Sequence, residues 1–280
     1  MEIEFDRVSL VIDQGTPLEK IILSDVSFKI SKPGIYSFVG ASNSGKTAIG
    51  DLINALMTPT RGAVKIGEFI NDGRRIRKIN NLRFETGYVF KNPYDMFFCR
   101  TVKQEIEFGL KYFNYKVKKK EIRTIDALKL VGLDESYLDL NPQVLSLSDA
   151  RKVAIACIIV YNPSIIILDE PTSGLSMRDK KELERIIYKL KTDYHKTILV
   201  LTKDTSFAYD ISNKIYLMYL TKIVSVGGKS LLEDVALLDR YNLETPKIVS
   251  FTLACREKNH NIRFNTDIQD LVREVYQDVF

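Results

Sequence analysis

The four aliphatic residues Ile165, Ile166, Ile167 and Leu168 run without a break into two adjacent carboxylates, Asp169 and Glu170, between Pro163 and Pro171. An unbroken apolar run bounded by prolines reads as a strand of a parallel sheet covered on both faces, and a carboxylate at its end is poorly solvated. Such a strand commits the chain to an α/β architecture, and its acidic tip requires a positive partner. A chain of 280 residues, 45% hydrophobic and 28% charged, is large enough to bury a core around it.

The partner lies earlier in the chain. Residues 34–40, GIYSFVG, read as a short strand, and ASNSGKT follows, setting Gly40, Gly45, Lys46 and Thr47 in the spacing G-x-x-x-x-G-K-[ST]. This is a phosphate-binding loop. Ile49, Leu52, Ile53 and Leu56 then recur at helical spacing, which predicts the strand-loop-helix context that the motif needs. Each residue of the cradle has a physical task. The glycines let the N–H groups of Gly40, Ala41, Ser42, Asn43, Ser44 and Gly45 curl around phosphates, and the helix N-terminus adds partial positive charge. Lys46 is expected to reach the β- and γ-phosphates, and Thr47 to ligate magnesium. Asp169 then holds the same ion through water, and Glu170 is the candidate general base. A guanine-reading [NT]-K-x-D is approached only by Thr202-Lys203-Asp204-Thr205, which ends in threonine, so ATP with magnesium is favoured.

Other chemistry is less well supported. A net charge of +5 is too small to argue for nucleic acid, and the basic run KVKKKEIR at 116–123 reads as the solvated start of a helix. No secretory leader opens the sequence, and the apolar stretch at 153–168 is short and interrupted by Asn162 and Pro163, so the chain is not expected to cross a membrane by itself. Cys99, Cys157 and Cys255 lack metal-ligand spacing and fit a reducing compartment. His195 falls in a polar turn and His260 far from the motifs. No internal repeat is present.

LDEPTSGL after an apolar strand resembles the signature of the ATP-binding-cassette (ABC) ATPases. More narrowly, TPLEKIILSDVSFKI, YVFKNPYDMFFCRTVKQEIEFG and LKLVGLDESYLDLNP are similar to the ATPases of energy-coupling-factor (ECF) importers. The resemblance implies an α/β P-loop NTPase of the ABC ATPase fold: a RecA-like parallel core, an N-terminal antiparallel β part, and a helical insertion about 101–160. It implies an ABC ATPase domain at 1–227 and a C-terminal extension at 228–280 that helps pair two cassettes, with apparent helices in SLLEDVALLDRY and TDIQDLVREVY.

The resemblance further implies two cassettes stacked head to tail, each nucleotide held between the P-loop of one and the signature motif of the other. Against that pattern several contact motifs depart. The signature region is Leu145-Ser146-Leu147-Ser148-Asp149, with a helix expected to start at 149–151. Both glycines are replaced by residues with Cβ atoms, Asp149 adds negative charge, and Ser146 keeps a hydroxyl for the partner's nucleotide. Lys91 stands where the family has glutamine, Lys203 where it has the switch histidine, Ser176 where it has an aspartate, and Ile12 where an aromatic stacks on adenine. Lys46, Lys91 and Lys203 around one triphosphate predict strong binding and poor water activation.

The expected role is the ATP-binding subunit of an ECF-type importer, peripheral on the cytoplasmic face of the membrane. Its implied partners are a second ABC ATPase in a heterodimer, a transmembrane coupling subunit and a substrate-binding membrane subunit. Tyr94, Met96, Phe97 and Phe98 are expected to face the groove that receives the membrane subunit. Two alternatives stay open: a nucleotide-binding regulatory subunit that does not hydrolyse ATP, and a soluble ABC ATPase outside transport.

Overall fold

A computed structural model describes residues 1–115, 119–258, 262–264, 270, 272–273 and 276. Two sheets form the frame. The first is antiparallel, in the order β2-β1-β4-β5, from β1 (Ile3–Ile12), β2 (Lys20–Ile30), β4 (Arg61–Ile66) and β5 (Phe69–Asn71). Its strands bury one face: Ile3, Phe5, Val8 and Leu10 of β1 point to the core.

The second sheet has the order β10-β9-β3-β8-β7-β6. Its strands are β3 (Gly34–Val39), β6 (Thr86–Val89), β7 (Ile165–Asp169), β8 (Thr197–Thr202), β9 (Lys214–Tyr219) and β10 (Lys222–Gly227). All neighbours pair parallel except β9 with β10 at the edge. Every residue of β7 and β8 is buried, as the uninterrupted apolar runs predict.

The helices are α1 (Lys46–Ile53), α2 (Ile79–Glu85), α3 (Val102–Tyr112), α4 (Lys120–Leu130), α5 (Leu147–Ile159), α6 (Met177–Thr192), α7 (Thr205–Ile211), α8 (Val235–Arg240) and α9 (Lys247–Glu257). Helices α3, α4, α5 and α6 share an apolar cluster with one face of the parallel sheet, and α1 packs between the other face and the antiparallel sheet. A row of rings ties the two sheets together: Phe5 stacks 4.4 Å from Phe28, Phe28 meets Phe38 at a tilt at 5.1 Å, and Phe38 stacks 4.7 Å from Tyr216.

Several local expectations are corrected. Helix α1 stops at Ile53 because the chain turns through a left-handed Ala55 (φ 52°), which carries Leu56 off the apolar face to 46% exposure. Helix α5 begins at Leu147, ahead of the expected 149–151, because Ser146 caps it: its Oγ accepts the Asp149 N–H at 3.1 Å. Phe97 is buried and Tyr94 and Met96 are half-buried, so of the four residues expected at the groove only Phe98 is exposed. The stretch SLLEDVALLDRY is not one helix. A 3-10 turn over Lys229–Leu232 precedes α8, whose first turn Asp234 caps by accepting the Leu237 N–H. Residues 266–276 fall largely outside the described residues, and 116–118 of the basic run lie outside them entirely.

Candidate functional site

The carboxyl ends of β3, β7 and β8 meet at one place, the crevice where open α/β sheets hold ligands. From β3 the chain passes through Gly40–Gly45 and enters α1 at Lys46, with left-handed turns at Asn43 (φ 63°) and Gly45 (φ 95°). Two glycines are required sterically. A Cβ on Gly40 would stand 2.4 Å from the Met218 carbonyl oxygen, and one on Gly45 would stand 2.7 Å from that of Ile22. The loop therefore lies against the ends of β2 and β9 with bare backbone.

Lys46 is almost fully buried. Its Nζ donates to the carbonyl oxygens of Gly40 (2.6 Å) and Ala41 (2.8 Å) and to Ser44 Oγ (3.4 Å), and stands 3.8 Å from Glu170 Oε1. Burial pushes the ammonium below its ordinary value, Glu170 and Asp169 hold it up, and the charges of Lys91 and Lys203 push it down again. The positive partner of the acidic strand tip is thus in place.

Thr47 Oγ1 donates to Asp169 Oδ2 at 2.9 Å, while Asp169 Oδ1 is buried with no hydrogen-bond partner. Burial raises the Asp169 carboxyl above its ordinary value; the Thr47 hydroxyl works against that, Glu170 adds to it, and Lys46 opposes it. An orphaned carboxylate oxygen beside a threonine hydroxyl fits a magnesium ion carried in by a nucleotide. Among the described residues no cluster of three or more His, Cys, Asp or Glu side chains is built to hold a metal. A hard ion here would complete its shell with phosphate oxygens and water.

Glu170 is fixed from the adjacent strand. Its N–H donates to the Leu201 carbonyl at 2.7 Å, and its Oε2 accepts from Thr202 Oγ1 (3.3 Å) and from the Lys203 N–H (3.2 Å). A left-handed backbone at Glu170 (φ 42°) turns the side chain back toward Lys46.

The cleft at the loop holds about 240 Å³ and is lined by Lys20, Ile22, Ser42–Ala48, Lys91 and Glu170. Lys203 lines a second cavity of about 570 Å³, with Ala41, Ser42, Glu170, Lys180 and Lys247. Lys91 and Lys203 therefore line two different cavities that share Ser42 and Glu170. Ile12 does not line the cleft; its cross-strand partner Lys20 does, a residue with no signal of its own in the sequence.

Ser146 sits away from this cleft, at the start of α5. Its hydroxyl donates to Asp149 Oδ2 at 2.8 Å, so the Asp149 carboxylate engages the serine within the same chain. Ser148 and Ser176 both donate to Asp179, which joins the start of α5 to that of α6. Sequence reading missed two further residues. Arg151, buried on α5, donates to the Ser173 carbonyl at 3.3 Å. Asp204 accepts from Lys180 (2.6 Å) and Thr172 (3.1 Å). Their residue types alone give no cue to burial or partners.

The chain is similar to known proteins along most of its length. Residues 23–173 match the family described as ABC transporter. The energy-coupling factor transporter ATP-binding protein EcfA2 of Streptococcus thermophilus is 34% identical over 263 residues, which cover 93% of this chain and 94% of that protein. The EcfA2 of Staphylococcus epidermidis is 31% identical over 266 residues, covering 94% and 93%. Among solved structures, the ATP-binding cassette MJ0796, dimeric and bound to ADP and Pi, aligns with a TM-score of 0.74 at 23% identity, over 81% of this chain and 98% of that one. The cbiO1 protein from Clostridium perfringens, part of the ABC transporter complex cbiONQ, aligns with a TM-score of 0.72 at 24% identity, over 89% and 97%. These structural likenesses speak for the fold.

Proposed function

The chain belongs to the ABC transporter family, with similarity to ECF transporter ATP-binding proteins along nearly its whole length, and from that premise we propose that it is the ATP-binding subunit of an ECF-type importer. It couples ATP binding and hydrolysis to uptake of a vitamin or metal ion through membrane-embedded partners. The observation that carries this reading is the meeting of the Gly40–Thr47 cradle with Asp169 and Glu170, joined by the Thr47–Asp169 hydrogen bond and the Lys46–Glu170 ion pair.

In this reading the loop N–H groups and the α1 N-terminus hold the phosphates, and Lys46 exchanges its carbonyl acceptors for phosphate oxygens. Thr47 and Asp169 hold magnesium, which supplies charge neutralisation at the phosphates. Glu170, anchored by Thr202 and by the Lys203 N–H, is oriented to take a proton from water. Lys91 and Lys203 bring two donor-only cations beside that carboxylate where a neutral acceptor and an imidazole are expected, so this site retains ATP and turns it over slowly.

A second ABC ATPase with intact motifs then completes a heterodimer. Ser146 faces the partner's nucleotide, residues 1–227 form the cassette, and the extension at 228–280 helps pair the two. Tyr94, Met96 and Phe98 border the groove for the transmembrane coupling subunit, with a further membrane subunit binding the cargo. No helix among the described residues is long and apolar enough to cross a membrane, which fits a peripheral place on the cytoplasmic face. Calorimetry tests the premise: Mg-ATP binding is expected for the chain, with no measurable heat for Lys46→Ala. Equal binding by the two would overturn it.

A further inference from the structure

Between β5 and α2 the chain carries Arg74, Arg75, Arg77 and Lys78 within five residues, all exposed. Arg74 lies 3.8 Å from Asp72; among the described residues Arg75, Arg77 and Lys78 stand within ion-pair distance of no carboxylate. With Ile76, Ile79 and Asn80 they line an open concavity of about 650 Å³. The cluster is not isolated. Tyr112 OH at the end of α3 donates to Asn80 Oδ1 at 3.3 Å, which sets the basic loop beside an exposed aromatic row. In that row Tyr112 stacks 5.8 Å from Phe108, and Phe108 meets Phe98 edge-on at 4.6 Å. Phe98 is 66% exposed, Tyr112 51% and Phe108 40%.

Unpaired cations beside exposed rings are the two elements of an interfacial membrane contact: the charges meet anionic headgroups, and the rings enter the headgroup boundary. The row runs on from Phe98 at the proposed groove, and a face that docks on a membrane subunit is turned toward the bilayer. We propose that this face, from the basic loop at 74–78 to Phe108 and Tyr112, binds the anionic lipid surface beside the membrane subunit. It gives the chain an attachment to the membrane of its own. The inference rests on the importer reading for its orientation and on charge complementarity for its ligand.

The test is co-sedimentation of the purified full chain with vesicles of phosphatidylcholine containing one third phosphatidylglycerol. Expected is binding at low ionic strength, weakened by salt and absent with phosphatidylcholine alone. The variant R75E/R77E/K78E should lower the bound fraction roughly tenfold, and Phe108→Ser should weaken binding that persists in salt. Both variants are on the surface, and unchanged Mg-ATP binding checks their folding. Absence of vesicle binding by the parent chain, or equal binding by the charge-reversed variant, overturns the proposal. So does a charge reversal that spares vesicle binding and abolishes only docking to the membrane subunit. Vesicle binding without Mg-ATP binding would instead count against the importer reading and leave the lipid face standing.

Discussion

Glu170 owes its position to groups that do not depend on the side chain at 203: the Lys203 N–H, Thr202 Oγ1 and the Leu201 carbonyl. Replacing Lys203 therefore removes a cation without releasing the carboxylate, and Lys91, exposed at the edge of the cleft, can be exchanged in the same way. The variant K91Q/K203H is expected to raise single-turnover hydrolysis at this site by roughly tenfold or more and to weaken Mg-ATP binding, read by quenched-flow and calorimetry on the assembled complex. Adding Glu170→Gln should remove the gain. One residue further on, Asp204 carries a pH dependence. Burial alone would raise its carboxyl, but the Lys180 ammonium, the Phe207 N–H and the Thr172 hydroxyl prevail and hold it below the ordinary range. A carboxyl depressed by folding stabilises the fold above the unfolded value and loses that contribution as pH falls through the folded one. Denaturation midpoints should therefore fall on acidification below the ordinary carboxylate range. Asp204→Asn should lose that component and cost on the order of 1–2 kcal/mol near neutrality.

Among the elements, α5 and β6 approach closely because Gly87 has no side chain. A Cβ there would fall 2.1 Å from Ile158 Cγ2 and 3.0 Å from Pro163 Cγ. Gly87→Ala is expected to destabilise the fold by about 1–3 kcal/mol through overpacking, and Ile158→Ala in the same chain should recover part of the loss, since the clash is with that side chain. Urea midpoints at unchanged slope measure both, and additive costs would mean the strain lies elsewhere. The same elements show what a sequence can and cannot disclose. Strands β7 and β8 were legible because their covering on both faces demands unbroken apolar runs, and the P-loop because its steric and charge requirements fix residue types at fixed spacing. The ends of helices were not. Ser146 and Asp234 set where α5 and α8 begin, but each serves as a cap only once a neighbouring N–H is aimed at it. Burial of Phe97 and Arg151 was hidden for a related reason: Phe97 stands between Met96 and Phe98 and Arg151 between Ala150 and Lys152, so nothing in the local pattern singles either one out, and its depth is set by packing from distant segments.

At the scale of the whole molecule, residues 229–258 are not a detached tail. Leu232, Leu238, Leu243 and Val249 are buried against Val39, Ala208, Tyr209, Ile215 and Leu217, which belong to the cassette itself. Polar ties converge on the stretch that follows Lys203: Thr205 Oγ1 donates to the Glu244 carbonyl at 2.7 Å, the Lys247 N–H to Ser206 Oγ at 3.1 Å, and Tyr209 OH to Glu233 at 2.8 Å. Four aliphatic side chains, each contributing about 1.5–3 kcal/mol when buried, amount to much of the stability of an ordinary domain. A chain ending at residue 227 would bare their partners on the cassette, at the C-terminal edge of the site that holds Glu170. It is expected to be insoluble or to lose Mg-ATP binding. A chain ending at residue 264 keeps α8, α9, the ties to α7 and the buried Ile262, whose carbonyl accepts from Arg256 Nε at 2.7 Å, so it should melt within a few degrees of the full chain and bind Mg-ATP equally. The same pair of truncations separates two roles of the extension. If pairing of cassettes depends on residues beyond 264, the longer truncate should fold, bind nucleotide and fail to assemble with its partner in size-exclusion chromatography. A chain ending at 227 that folds and binds Mg-ATP like the parent would show instead that the extension packs on the cassette without supporting it.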